Sequence, residues 1–373
     1  MPLVLSGTNG VTFPDSSLQA AAASPYVLKN RIINGAMVID QRNAGASKTI
    51  TADSTFTLDR WMCEVSQASK FSVQQDAGAV TPPAGFNDYL GVTSLSSYSV
   101  GTSDYFTIIQ RIEGYNVADL DFGKATAKTI TISFWVRSSL TGTFGGSIGN
   151  SAENRSYPFS YTISAANTWE QKTVTIAGDT TGTWLVTNGR GLNVRFSLGM
   201  GSTFTDTANA WTTKVNVYSA TGATSVVGTN GATFYLTGVQ LEVGTSATPF
   251  ERRLYNQELA NCQRYFVGIK NDGVNNLLVA LTGVATSTAD VGCMLPLLVE
   301  MRTQPSISGT SLAVADSVNP VSNVTSVTIR TDISTTKGIY FGASGASGLT
   351  TYRPYYVRFQ AASSGSFNIS AEL

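Results

Sequence analysis

Three carboxylates stand where acid–base chemistry could be sought: Asp59 beside Arg60, Glu242, and Glu251 followed by Arg252 and Arg253. A glycosidase would use two such groups as acid and base. Their spacing brings no two together, and Glu242 and Glu251 flank the point where a sheet edge meets a helix. They therefore read as partners in structural ion pairs or hydrogen bonds. The chain has no His, which removes the commonest general base, the commonest metal ligand and the usual pH switch. Cys63, Cys262 and Cys293 are odd in number and far apart, so they fit neither a disulfide framework nor a metal cluster and are expected as buried thiols. No metal and no cofactor is expected. Gly145-Gly146-Ser147-Ile148-Gly149 lacks the lysine and the strand–loop–helix setting of a phosphate loop and reads as a turn.

Stacking is the other chemistry in view. Sugar rings present apolar faces that Trp and Tyr can cover, and Trp169, Trp184, Trp211 and the run Tyr352-Arg353-Pro354-Tyr355-Tyr356 are the candidates for glycan binding. A buried Trp is equally ordinary in the core of a β-sandwich. Trp135, between Phe134 and Val136, faces away from both.

The elements that must position these residues are mainly β. At 373 residues the chain is too long for one ordinary core and implies two or three domains. Charged residues are 13%, with Lys+Arg and Asp+Glu at 24 each; so sparse and balanced a charge argues against nucleic acid or anionic lipid as partner. No run approaches the ~20 apolar residues of a membrane span. The first residues lack the basic start and apolar stretch of a signal peptide, and a soluble, unsecreted protein without membrane insertion is expected.

Residues 1–28 carry one acid, Asp15, and no base. Leu3, Val4 and Leu5, the turn signal Asn9-Gly10, and Val11-Thr12-Phe13 predict a small hairpin, marginal alone, so this arm would take its order from a partner. Residues 29–248 predict one large antiparallel jelly-roll sandwich. Its strands are marked by Phe106/Ile108/Ile112 with Tyr105 and Ile109 opposite, Ile130/Ile132/Phe134/Val136, Val174/Ile176, Leu192/Val194/Phe196/Leu198 and Val215/Val217, with turns at Thr141-Gly142, Gly145-Gly146 and Asn188-Gly189. Residues 249–266 predict a linker helix. Residues 267–373 predict a second small β-sandwich, with strands at 277–281, 293–299, 324–329, 339–341, 355–359 and 367–371.

Residues 233–266 join these parts. Ala232, Phe234 and Leu236 share one face, then the phase slips to Val239, Leu241 and Val243, which predicts a β-bulge at Thr237-Gly238. After Pro249, Tyr255, Leu259, Cys262 and Phe266 recur at helical spacing. A helix of about three turns is not stable alone, so the stripe must pack on a sheet or meet its own copies on an axis.

This stretch resembles a signature common in bacteriophage tail proteins, in which a strand ending V-Q-L-E leads through P-F-E-x-R to a helix E-L-x-x-C-Q-R-Y. Here it stands as Leu236, Val239-Gln240-Leu241-Glu242, Gly244, Ala247, Pro249-Phe250-Glu251, Arg253, Glu258-Leu259 and Cys262-Gln263-Arg264-Tyr265. Asn30, Ile33-Asn34-Gly35, Gln41-Arg42 and Asp59-Arg60-Trp61 are similar to the opening of the same family's domain. Glu300-Met301-Arg302 with Pro305, and Ala371-Glu372-Leu373, resemble its closing domain; Gly10-Val11, Phe13-Pro14-Asp15 and Gln19 resemble a short segment of phage fibre proteins.

The resemblance implies a virion structural protein of a tailed phage, a tail fibre or related appendage assembled in the host cytoplasm. It implies attachment to other virion proteins, tail or adaptor, through Leu3, Val4, Leu5, Val11 and Phe13; a carbohydrate-binding-like jelly roll; and a host surface glycan or receptor as ligand. It implies a homotrimer, for which the stripe Tyr255, Leu259, Cys262 and Phe266 offers a physical route. No enzyme is expected. The alternatives are a capsid decoration or head-fibre protein, and a depolymerase with a carboxylate pair in a cleft.

Overall fold

The computed structural model describes residues 29–271, 278–316, 322–360 and 364–373, together with the backbone of three short strands ahead of them. Those strands, Val4–Ser6, Gly10–Thr12 and Leu18–Gln19, pair antiparallel in that order, with Val4 opposite Thr12 and Val11 opposite Gln19. They contain the expected hairpin and add a third strand. Leu3 and Phe13 lie outside the described residues.

Two six-stranded antiparallel sheets follow. The first runs Glu170–Ile176, Ile130–Ser138, Thr233–Val243, Leu90–Ser94, Phe71–Gln75, Lys48–Thr49. The second runs Ser156–Ile163, Gly142–Gly149, Arg190–Met200, Tyr105–Glu113, Met62–Val65, Thr55–Phe56. The chain passes repeatedly from one sheet to the other, as in a jelly roll. Alternation puts Ile132, Phe134, Phe196, Phe106, Ile108 and Leu236 in one shared core. There Phe134 meets Phe196 edge-on at 5.0 Å and Tyr161 at 4.9 Å.

Two expectations fail here. Gly145-Gly146 is no turn but lies inside the strand Gly142–Gly149. A Cβ on Gly145 would lie 2.4 Å from Ser219 Oγ, so the glycine lets the short strand Ser219–Ala220, which pairs parallel with Thr205–Asp206, pack flat against Gly142–Gly149. Val215 and Val217 form no strand; Val215 is exposed and Val217 buried within the long loop between Met200 and Thr233. Two apolar residues two apart are too short a pattern to tell a strand from an extended loop.

The bulge is where the phase slip put it. Ser133 pairs with Gln240 and Trp135 with Thr237, and Gly238 takes φ 61°. A Cβ on Gly238 would strike Phe86 at 2.6 Å.

The helix spans Tyr255–Gln263. Phe266 falls outside it, opening the strand Phe266–Lys270. The helix face turned inward carries Glu258 and Cys262, Phe266 is buried with them, and Tyr255 is 63% exposed. The four-residue stripe is therefore divided: Cys262 and Phe266 are used inside the chain, and Tyr255 and the half-buried Leu259 face outward.

The second domain is a sandwich, as expected. A three-stranded sheet, Phe266–Lys270, Ser366–Ser370, Ser306–Thr310, packs on seven strands ordered Ser322–Asn323, Leu312–Ala315, Pro354–Phe359, Leu278–Ala285, Asp290–Pro296, Gly338–Ser344, Ser326–Ile329. Phe341, Val357, Phe359, Phe367 and Ile369 form its core.

Candidate functional site

Residues of the stretches 30–61 and 236–265 converge on one polar hub at the boundary of the two sandwiches. Asn30 Nδ2 donates to Val239 O (3.2 Å) and its Oδ1 accepts from the Leu241 N–H (3.1 Å), lashing the chain entering the domain to its last strand. Glu251 accepts from the backbone N–H groups of Lys29 and Asn30, and Glu258 from that of Asn34 and from Arg253. Glu242 accepts from Gln240 Nε2 and from the Thr248 N–H and hydroxyl at 2.6–2.8 Å. Trp61 Nε1 donates to Asn34 O at 3.0 Å.

Across the boundary, Gln41 donates to both oxygens of Asp59 (2.6 and 2.7 Å) and to Phe266 O. Arg60 and Arg42 both pair with Glu372, and their guanidiniums lie 3.7 Å over the Tyr265 ring and 3.5 Å over the Phe266 ring. Arg264 grips Glu113 with two hydrogen bonds (2.9 and 2.6 Å) and the Tyr265 hydroxyl donates to the same carboxylate (2.6 Å). Arg302 closes the ring, donating to Ala371 O, Glu372 O and Asn188 O. Burial pushes the Asp59 carboxyl up to about 6 against the pull of Arg42. Burial likewise raises the Cys262 thiol. Asp59, Glu242 and Glu251 thus each hold backbone or side-chain donors of this hub.

A second charged network lies on the outward face of the second sheet. Arg195, 1% exposed, donates to Glu64 (2.8 Å) and Glu153 (2.7 Å); Arg111 adds a bond to Glu64 and Arg190 one to Glu153. The long loop brings Tyr218 over it, with the Arg195 guanidinium 4.2 Å from the ring and the hydroxyl donating to Glu153. Burial pushes Glu64 up, but Arg195 and Arg111 outweigh it and hold the carboxyl below its ordinary range. Sequence reasoning missed this network because its members are scattered along the chain and only strand register joins them.

Among the aromatic candidates, Trp169 lies half-buried on the outward face of the first sheet, edge-on to Tyr89 (5.5 Å), with Nε1 donating to Thr81 O. Trp184 and Trp211 pack on one another and on Phe122, closing one end of the sandwich; their indole N–H groups donate to Thr181 O and Ala177 O. Tyr352 is 85% exposed. Tyr355 points into the second core, its hydroxyl accepting from the Thr350 N–H.

Tyr356 lines a groove of about 630 Å³ on the outer face of the seven-stranded sheet, within the size range of about 300–1,000 Å³ usual for ligand sites. Tyr340, Met294, Val284 and Pro354 line it with Tyr356, and the ion pair Arg353–Asp316 (2.9 Å) is part of its wall. Register builds it: Met294 lies opposite Tyr340, Gly292 opposite Gly342, and Ala315 opposite Tyr356. A Cβ on Gly292 would lie 1.9 Å from the Tyr340 hydroxyl, so only glycine leaves that phenol its place. Tyr340 was not singled out from the sequence. The signal was there, because Ile339 and Phe341 face inward and Tyr340 must then face out.

No protein-family profile matches the chain, and no curated protein matches it in sequence. Solved structures similar to it include the enzymatically active domain of tailspike protein 4 of bacteriophage CBA120, at 10% identity and TM-score 0.32, covering 59% of this chain and 22% of that one. A family 11 carbohydrate-binding module from Clostridium thermocellum, in complex with a β-1,3-1,4-mixed-linked tetrasaccharide, is similar at 13% identity and TM-score 0.29, over 54% of this chain and 98% of that one. A putative sugar-binding protein from Bacteroides thetaiotaomicron is similar at 10% identity and TM-score 0.33, over 58% and 100%.

Proposed function

We propose that this chain is a glycan-binding structural protein of a tailed phage particle, an appendage whose N-terminal arm joins other virion proteins while the two sandwiches project from the tail. The observation that carries the binding role is the groove, where Tyr340 and Tyr356 stand outward on a rigid sheet beside a polar ion pair. That is the arrangement a sugar needs, an apolar face for the ring and fixed polar groups for its hydroxyls. The virion role rests on the resemblance of residues 30–61 and 236–265 to phage tail proteins. The protein acts by binding and not by cleavage. Asp59, Glu242 and Glu251 are engaged in holding the hub, and Glu64 and Glu153 are bound to Arg195.

The test is a glycan array probed with the whole chain and with Tyr340→Ala and Tyr356→Ala. Both side chains lie outside the core, so the variants should fold as the parent does while losing at least about tenfold in affinity, the scale on which a lost aromatic stacking partner is felt. Binding that is indifferent to both substitutions, or release of oligosaccharides on incubation, would overturn the reading.

A further inference from the structure

We infer that the groove accepts the apolar face of an uncharged sugar and rejects acidic ones. This deepens the glycan-binding reading above and rests on it.

The lining decides the class of ligand. Tyr340, Tyr356, Met294, Val284 and Pro354 provide apolar or aromatic surface, and Met294 and Val284 are 63% and 47% exposed, so the surface is open for a ring to cover. Among the described residues, the charged groups of the lining are Arg353 and Asp316, one of each sign, paired at 2.9 Å. The Arg353 side chain is 39% exposed and that of Asp316 8%. The guanidinium charge is therefore already matched by a carboxylate sunk deeper in the wall.

An acidic sugar entering this groove meets two penalties. Its carboxylate must shed water against an apolar floor, which is costly for a charge without a partner of its own. It must also approach Arg353 from beside Asp316, where like charge opposes it at short range. A neutral ring meets neither. Its C–H face covers the tyrosines, and its hydroxyls can donate to the Asp316 carboxylate and accept from the Arg353 guanidinium, so that the pair serves as one donor–acceptor platform. The device discriminates by repulsion as much as by attraction.

The experiment is calorimetric titration of the whole chain with oligosaccharides of neutral β-1,4-galactan, dextran and mannan, and with the acidic series oligogalacturonate, hyaluronan and oligosialic acid. At least one neutral series should bind, and every acidic series should bind at least about tenfold more weakly, with neutral binding little changed between about 0.05 and 0.5 M salt. Asp316→Asn keeps the shape of the wall and removes the opposing charge. It should strengthen acidic binding severalfold relative to neutral binding in the same variant. Acidic ligands that bind as well as or better than every neutral one, and that Arg353→Met releases, would overturn the inference and leave the groove a glycan site. Absence of any glycan bound, or binding untouched by Tyr340→Ala and Tyr356→Ala, would overturn the underlying reading with it.

Discussion

Asp59 shows how one residue serves the hub at a cost. Its carboxylate takes two hydrogen bonds from Gln41 and lies near Arg42, yet burial dominates and holds its titration near 6 in the folded chain, above the ordinary 3.8. The folded state therefore binds this proton more tightly than the unfolded state does. The stabilisation from protonated Asp59 is fully present below about pH 4 and is lost as pH rises through about 6, a change on the order of 3 kcal/mol. Asp59→Asn cannot titrate. It should lower stability overall, since an amide cannot accept both bonds from Gln41, but denaturation midpoints followed from about pH 4 to pH 7 should fall less steeply than for the parent. Parallel slopes would mean that Asp59 carries no such burden. The hub carboxylates Asp59, Glu242 and Glu251 could be picked from the sequence, but not what they hold: Gln41 reaches both Asp59 and the Phe266 carbonyl only through folding, and no spacing announces it.

At the scale of elements, alternation was a guide where aliphatic residues alternate over several positions. Ile130 to Val136 and Leu192 to Leu198 were legible because each inward residue enters a shared core. Ser306–Thr310 was not, since Ile307 is its one apolar residue and the strand holds its place by pairing along Ser366–Ser370. The helix was legible in its existence and misplaced at its end. Phe266 continues the helical count from Cys262, and periodicity cannot distinguish the next helical turn from the first buried residue of a strand. This changes which residues of the helix are free to meet a second copy. Cys262 and Phe266 are committed to the chain's own core, and the outward apolar residues at the helix start are Leu254, 75% exposed, and Tyr255. We propose that these two carry the contact between copies. Leu254→Asp combined with Tyr255→Ser should give folded monomers in sedimentation, because a carboxylate would be buried in each copy of the contact while neither sandwich core is touched. A parent chain that sediments as a monomer, or a variant that stays assembled, would remove the helix from the interface.

At the scale of the whole molecule, the polar hub joins two sandwiches that each have a core of their own. The first buries Phe134, Phe196 and their neighbours, the second Phe341, Phe359 and Phe367, and between them lie Arg60, Arg42, Glu372, Arg264, Tyr265 and Glu113. Glu372 is the piece on which this boundary depends most, because it answers two arginines at once: the side chains of Arg60 and Arg42 are 2% and 15% exposed, and that of Glu372 is 7% exposed. Removing one partner of a buried ion pair costs about 3–5 kcal/mol, since the charge left behind has neither water nor counter-charge. Glu372→Gln preserves shape and deletes the charge. The guanidiniums keep their stacking on Tyr265 and Phe266, so collapse of either sandwich is not expected; what should fail is their coupling. The parent should unfold in one calorimetric transition, and Glu372→Gln in two, with the first sandwich keeping its midpoint and the second melting earlier. Limited proteolysis should then open the segment between Val243 and Tyr255, which the hub otherwise covers through Glu251 and Arg253. If the variant still melts in one transition at the parent's temperature, the domains are joined by packing elsewhere, and the hub residues would owe their place to the first sandwich alone.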